Sequence, residues 1–137
     1  MNPLAQQWID EAVLGSPVAQ SLGVRLMTAK PDEIILAMKF DAHLSTTPGV
    51  IHGGVVATLI DIAGAAASAS GVTAQTATGG ATSQLAVHYL APAVDELTAE
   101  ATVVNRTRSS TLTHVRVVDD NGSLIATGEV TSRIFHR

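Results

Sequence analysis

Residues 48–70 read PGVIHGGVVATLIDIAGAAASAS. Pro48-Gly49 is a turn-forming pair that leads to His52-Gly53-Gly54. From Gly53 to Ser70 every residue but one is uncharged, and most are small or aliphatic, in a run with helical character. Asp61 is the exception, and it is the only Asp, Glu, Lys or Arg between Asp41 and Asp95. A helix that is apolar on all sides is normally buried on all sides. A carboxylate within it is costly unless it is paired, hydrogen-bonded or near water. Asp61 also lies too far along to cap the helix start, where Asp is ordinarily useful. A buried carboxylate about two turns from an amide-rich helix start is the leading clue to function. Three other readings compete with it: a structural Asp bonded to a neighbouring strand, a surface Asp on a polar spot, and a membrane span. The run approaches the ~20 residues a span needs. A central Asp costs roughly 2.5–3.5 kcal/mol on insertion scales, and no Lys or Arg flanks either end, so the expectation is a core helix and no membrane partner.

The chain has 137 residues, which predicts one domain over 1–137. It is 46% hydrophobic but only 3% aromatic, so the core must be built from Ala, Val, Leu and Ile. Small side chains let a helix approach a sheet closely. The net charge is −4 and the basic residues are scattered. That argues against a nucleic-acid partner, which needs a Lys/Arg stripe or patch. With no Cys, disulfide frameworks and Cys-ligated metals are excluded. His43, His88, His114 and His136 lack metal-ligand spacing. The first residues carry Asp10 and Glu11 and no basic residue before Arg25, unlike a signal peptide, so a cytoplasmic location is expected.

Working outward, Asn2–Leu14 is expected to be a helix, with Asn2 as cap, Pro3 at its first position and Leu4, Trp8, Ile9 and Val13 on its apolar side. Gly15-Ser16-Pro17 ends it. Alternation over Leu22–Met27 and Ile34–Phe40, around a turn at Lys30-Pro31-Asp32, predicts an antiparallel hairpin. Asp41–Ile51 and Gly71–Ala81 read as loops. Strands follow at Thr82–Leu90, Glu96–Arg106, Thr111–Val118 and Leu124–Phe135, with Asp119-Asp120-Asn121-Gly122 as a hairpin turn. The order fits an α+β fold in which a mostly antiparallel curved sheet wraps one long apolar helix. Surplus apolar surface predicts self-association.

Gly49-Val50-Ile51-His52-Gly53-Gly54, with Ala57-Thr58-Leu59-Ile60-Asp61 behind it, resembles the hotdog-fold acyl-CoA thioesterases of the phenylacetic-acid-degradation (PaaI-like) type. Tyr89-Leu90-Ala91-Pro92-Ala93 and the Asp-x-x-Gly hairpin add to the likeness, which runs from about Leu22 to Phe135. The resemblance implies a homodimer, often paired into a homotetramer, with active sites across the dimer interface and no metal or redox cofactor. It implies that Asp61 is the catalytic carboxylate and that the Gly53 N–H polarises the thioester carbonyl. The two would come from different protomers. A helix start offers unpaired N–H groups and partial positive charge, as an oxyanion needs. Relatives often carry Asn or Gln where this chain has Thr46, which is shorter and lacks the amide. Thr82 falls where some relatives place a hydroxyl that holds water.

His52 is read as shaping the loop and bonding backbone near the helix start, with imidazole base catalysis as the alternative. Gly54, Val55, Val56 and Leu59 are candidate contacts for the acyl group. Arg106 and Arg108 are candidates for coenzyme A phosphates, against a plain solvated hairpin. The expected reaction is hydrolysis of an acyl-CoA to free acid and coenzyme A, with Asp61 as general base or nucleophile. A hydratase or dehydratase of the same fold and a non-catalytic acyl-CoA-binding module are the rivals.

Overall fold

The computed structural model describes all residues, Met1–Arg137. Six strands form one antiparallel sheet: β1 (Arg25–Lys30), β2 (Glu33–Met38), β3 (Ala77–Tyr89), β4 (Leu97–Arg106), β5 (Ser110–Val118) and β6 (Leu124–His136). Their order across the sheet is β1-β2-β4-β5-β6-β3. The long helix α3 (Gly53–Ser70) lies in the curve of the sheet and packs on β2 to β6. This is the hotdog arrangement.

Strand periodicity explains the single core. Along β6, Ala126, Gly128, Val130, Ser132 and Ile134 are buried, while Glu129, Arg133 and Phe135 are exposed. The same alternation buries Leu97, Ala99 and Ala101 of β4 and Val115 and Val117 of β5. Charged partners cover the outer face, as in Arg116–Glu100 at 2.9 Å and His114–Glu129 at 2.9 Å.

Glycine sets the helix-to-sheet distance at two points. A Cβ on Gly64 would lie 2.5 Å from Val130 Cβ, and one on Gly128 would lie 2.5 Å from Ile60 Cγ2. Each glycine therefore receives a branched side chain from the opposite element, and α3 and β6 interlock.

α3 is not buried on every side. Gly54 is exposed, and Val55, Ala57, Thr58, Asp61 and Ala65 are half-buried, forming one open stripe. The expectation of burial all round is corrected in this respect. The sheet covers only part of the helix circumference, so a single protomer leaves that stripe unpartnered.

Four further boundaries differ from expectation. The N-terminal helix is α-helical only over α1 (Pro3–Gln7) and continues as a π-helical stretch over Trp8–Val13. A second helix, α2 (Pro17–Leu22), follows it. Ser16 caps α2, with Pro17 at its first position and Gly23 closing it at φ 70°. The residues read as a helix end also begin a new helix, so β1 starts at Arg25 rather than Leu22. The 41–51 loop contains a 3₁₀ turn over Ala42–Leu44. β3 begins at Ala77 rather than Thr82, because its Thr/Ala/Gly segment pairs with β6 from Ala77↔His136 onward, with irregularities between Ala77 and Gly79 and between Thr82 and Gln84.

Candidate active site

Asp61 sits half-buried on the open stripe of α3. The Thr82 hydroxyl donates to Asp61 Oδ1 at 2.6 Å. The β3 geometry makes this contact possible. Thr82 pairs with Ser132 and Gln84 with Thr131, so Ser83 is an extra residue, a β-bulge. The bulge shifts the two-residue alternation and puts both Thr82 and Leu85 on the helix side of the strand.

Asp61 and Thr82 line a cavity of about 390 Å³. One wall is α3, with Ile62, Ala65, Ser68 and Ala69. A second is formed by β3 and β6, including Gly79 and Gly80. The third is the N-terminal π-helical stretch, with Trp8, Ala12 and Val13. Trp8 and the third wall were read in the sequence only as the apolar side of a helix. Trp8 is the only Trp in the chain, and that was the available signal.

The start of α3 is built separately. His52 is the N-cap, and its Nδ1 accepts from the Gly54 N–H at 2.8 Å. The Gly53 N–H donates to no protein acceptor, whereas the next free donors, Val55 and Val56, both bond His52 O. The Tyr89 hydroxyl donates to Gly53 O at 2.7 Å, fixing the first turn against the end of β3. Gly53, Thr46, Val56 and Tyr89 line a second cavity of about 400 Å³. Thr46 therefore belongs with the Gly53 donor rather than with the carboxylate.

Gly54 is thus no free donor, since His52 occupies its N–H. Val55 is half-buried on the open stripe and lines neither cavity. Arg106 is a correction. Its Nε donates to Asp32 Oδ1 at 2.9 Å and its Nη2 to Ala67 O at 3.0 Å. It points inward to hold the last turn of α3 against the β1–β2 turn, where a cation favours the negative helix end, so it is not displayed for phosphates. Arg108 is exposed and donates to Thr76 Oγ1 at 3.2 Å, away from both cavities.

Gly53 and Asp61 stand eight residues apart on one straight helix, about 12 Å along its axis. They open into different cavities of the same chain.

The hotdog sheet around its core helix and the stretch from Gly49 to Asp61 point to one class, the thioester-cleaving enzymes that the resemblance implied, and comparison with known proteins bears this out. The model of the thioesterase superfamily matches residues 48–126. A "putative esterase" of Halobacterium salinarum is 33% identical over 96% of this chain and 91% of its own length. The chain belongs to the thioesterase superfamily and is a thioester hydrolase. Among solved structures, a thioesterase family protein of Silicibacter pomeroyi superposes with a TM-score of 0.88 at 27% identity, covering 97% of this chain and 99% of that one. The PaaI protein of E. coli, from the phenylacetic acid degradation operon, shares the fold with a TM-score of 0.84 at 20% identity, over 96% and 93% of the two chains.

Proposed function

We propose that the protein is an acyl-CoA thioesterase working as a dimer, alone or paired into a tetramer, with each active site shared between two protomers. The Gly53 N–H of one protomer binds the thioester oxygen. Asp61 of the other activates water or attacks the carbonyl carbon itself. The C–S bond breaks and coenzyme A leaves as the thiol after taking a proton. In the first route the water oxygen ends in the carboxylic acid directly; in the second a mixed anhydride with Asp61 forms, and water cleaves it to the acid and free Asp61. Thr82 orients Asp61 through its hydrogen bond. Thr46 lies beside the oxyanion donor, and His52 acts through the cap it provides rather than as a base.

The observation that carries this reading is the separation of the two groups. About 12 Å along one helix is far more than a single carbonyl spans. A second chain that brings its own helix start to this Asp61 removes the difficulty. β3 supports such a partner: it is a 13-residue edge strand with exposed Leu85 and Tyr89, followed directly by exposed Leu90, and an open edge of that length is a template for pairing.

Complementation tests the reading. Asp61→Asn and Gly53→Pro each disable one half of every site. Unfolded together and refolded as mixed dimers, they form one intact site per heterodimer only if sites are shared. About a quarter of wild-type coenzyme A release should then return, by random pairing in a two-fold dimer. No recovery from verified heterodimers refutes the shared site. Absence of thiol release by wild type across an acyl-CoA panel refutes the substrate class.

A further inference from the structure

We propose that Trp8 determines acyl-group selectivity by forming one wall of the cavity beside Asp61. The inference rests on the proposed thioesterase activity and takes the cavity that opens at Asp61 as the acyl pocket.

Three observations lead to it. First, much of the cavity wall is small: Ala65, Ser68 and Ala69 on α3 and Gly79, Gly80 and Ala81 on β3, with Ile62, Ile134 and Arg133 as the larger neighbours. Trp8 is the one aromatic residue in the lining, so its indole is the bulkiest apolar group there.

Second, a π-helical stretch aims it. Backbone bonds there run from residue i+5 back to i, as in Leu14 N–H to Ile9 O at 2.9 Å. The wider turn brings both Ala12 and Val13 onto the face of Trp8, while Ala5 and Ile9 take the core side at 0% exposure. Isolated π-turns tend to occur at functional sites.

Third, the N-terminal segment joins no strand of the sheet. Side-chain packing of Ala5 and Ile9 and local bonds, such as Gln20 Nε2 to Leu14 O at 2.8 Å, hold it in place. Trp8 is therefore mounted apart from the β3–β6 ladder that carries Thr82, so substitutions there leave the hydrogen bond between Thr82 and Asp61 in place.

Selectivity is read as the ratio of kcat/KM for a bulky acyl-CoA, decanoyl or phenylacetyl, to that for butyryl-CoA. Both substrates are assayed on one enzyme preparation, so any misfolded fraction cancels. Even one methylene changes discrimination about 10- to 200-fold in an apolar pocket. Trp8→Ala should raise the ratio at least tenfold, with Trp8→Phe intermediate. Ala12→Phe, which adds bulk to the same wall, should lower it. If Trp8→Ala proves unfolded, Trp8→Phe and Ala12→Phe still give the test. Ratios within twofold of wild type in the folded variants overturn the proposal. Because Trp8 is the sole Trp, its emission provides a second readout without turnover. Decanoate titrated into wild type should shift the emission saturably. A shift without acyl-CoA hydrolysis keeps the cavity as a ligand site and refutes only the substrate class. Hydrolysis with neither a shift nor a changed ratio refutes the role of Trp8 alone.

Discussion

The Thr82 hydroxyl reaches Asp61 Oδ1 across 2.6 Å although the two residues lie on different elements, one on the edge strand and one on the core helix. A hydrogen bond to a charged group contributes about 1.5–3 kcal/mol. If it positions Asp61 for chemistry, Thr82→Val should lower kcat by about tenfold or more, and Thr82→Ser should restore most of the rate. Asp61→Asn should lose at least ~10²-fold with circular dichroism unchanged, the scale of an acid–base group. Near-normal turnover by Asp61→Asn removes it from the mechanism.

The contribution proposed for Gly53 is made by its backbone, and substitutions can separate backbone from side chain. A Cβ at Gly53 would meet the Tyr89 ring at 3.5 Å, an ordinary contact, so Gly53→Ala should fold and keep its activity within a few-fold. Gly53→Pro removes the N–H. His52 already holds φ −57° and ψ 135°, the extended conformation a residue before proline prefers. The variant should therefore fold yet lose roughly 2.7–4 kcal/mol of transition-state stabilisation, the range for one oxyanion donor. Equal kcat/KM for the Ala and Pro variants contradicts the role.

Val87 tests the assembly. Leu90 N–H bonds Ile125 O within the β3–β6 ladder. The alternation of an antiparallel pair then sends the N–H groups of Tyr89 and Val87 to the open edge. Proline is tolerated where a strand N–H faces outward, so Val87→Pro should leave each protomer folded. Light scattering should show wild type as a dimer or larger and Val87→Pro as an inactive monomer. A fully active wild-type monomer refutes the shared site.

His43 gives a pH-dependent contribution to stability. Its Nδ1 lies 2.7 Å from Asp41 Oδ1, and its Nε2 is 3.0 Å from Ser21 O. The hydrogen bond to Asp41 raises the His43 pKa above its ordinary 6.5, and the bond to the Ser21 carbonyl adds to this. The side-chain bond with His43 lowers that of Asp41 below 3.8. A raised histidine stabilises the fold fully below 6.5 and loses that contribution as pH climbs through its folded value; a lowered carboxylate does so above 3.8 and loses it in acid. Both act together between those two values. The stability gap between wild type and His43→Gln, from urea denaturation, should be larger at pH 5.5 than at pH 8.5. A gap independent of pH contradicts the linkage.

Gly64→Ala pits two effects against each other. Ala gains about 1 kcal/mol over Gly in a helix. The new methyl would enter the space of the Val130 side chain, and overpacking costs typically 1–3 kcal/mol. The clash should win, giving a lower melting temperature, and Val130→Ala in the same chain should recover part of the loss. An increase in stability would show that α3 can retreat from the sheet.

The sequence made the frame legible because the frame depends on periodicity. The apolar run over 53–70 and the alternation over 97–106, 111–118 and 124–135 each carry a local signature. Asp61 was legible as an anomaly, an isolated charge in an apolar run. The π-stretch at Trp8–Val13 was not, since its composition suits an ordinary helix. The start of β3 at Ala77 depends on pairing with β6, and no local pattern of Thr, Ala and Gly announces it. Arg106 looked free because its partner Asp32 is distant in sequence and meets it only after β2 and β4 have paired. Tyr89 was quoted as part of a strand ending, but its hold on Gly53 requires the fold.

The interlock of Gly64 with Val130 and of Ile60 with Gly128 has a consequence for how this enzyme can diverge. Both locks lie within a turn of Asp61 along the helix, so the carboxylate is mounted on the most constrained part of the molecule. A substitution that slides or tilts α3 must first unseat two branched side chains from their sockets. Drift in substrate preference is therefore channelled away from the helix and into segments that no ladder restrains. The N-terminal arm is one of these. On the proposed roles of Asp61 and Trp8, reaction chemistry and substrate choice would then reside on separately evolvable parts of one small chain.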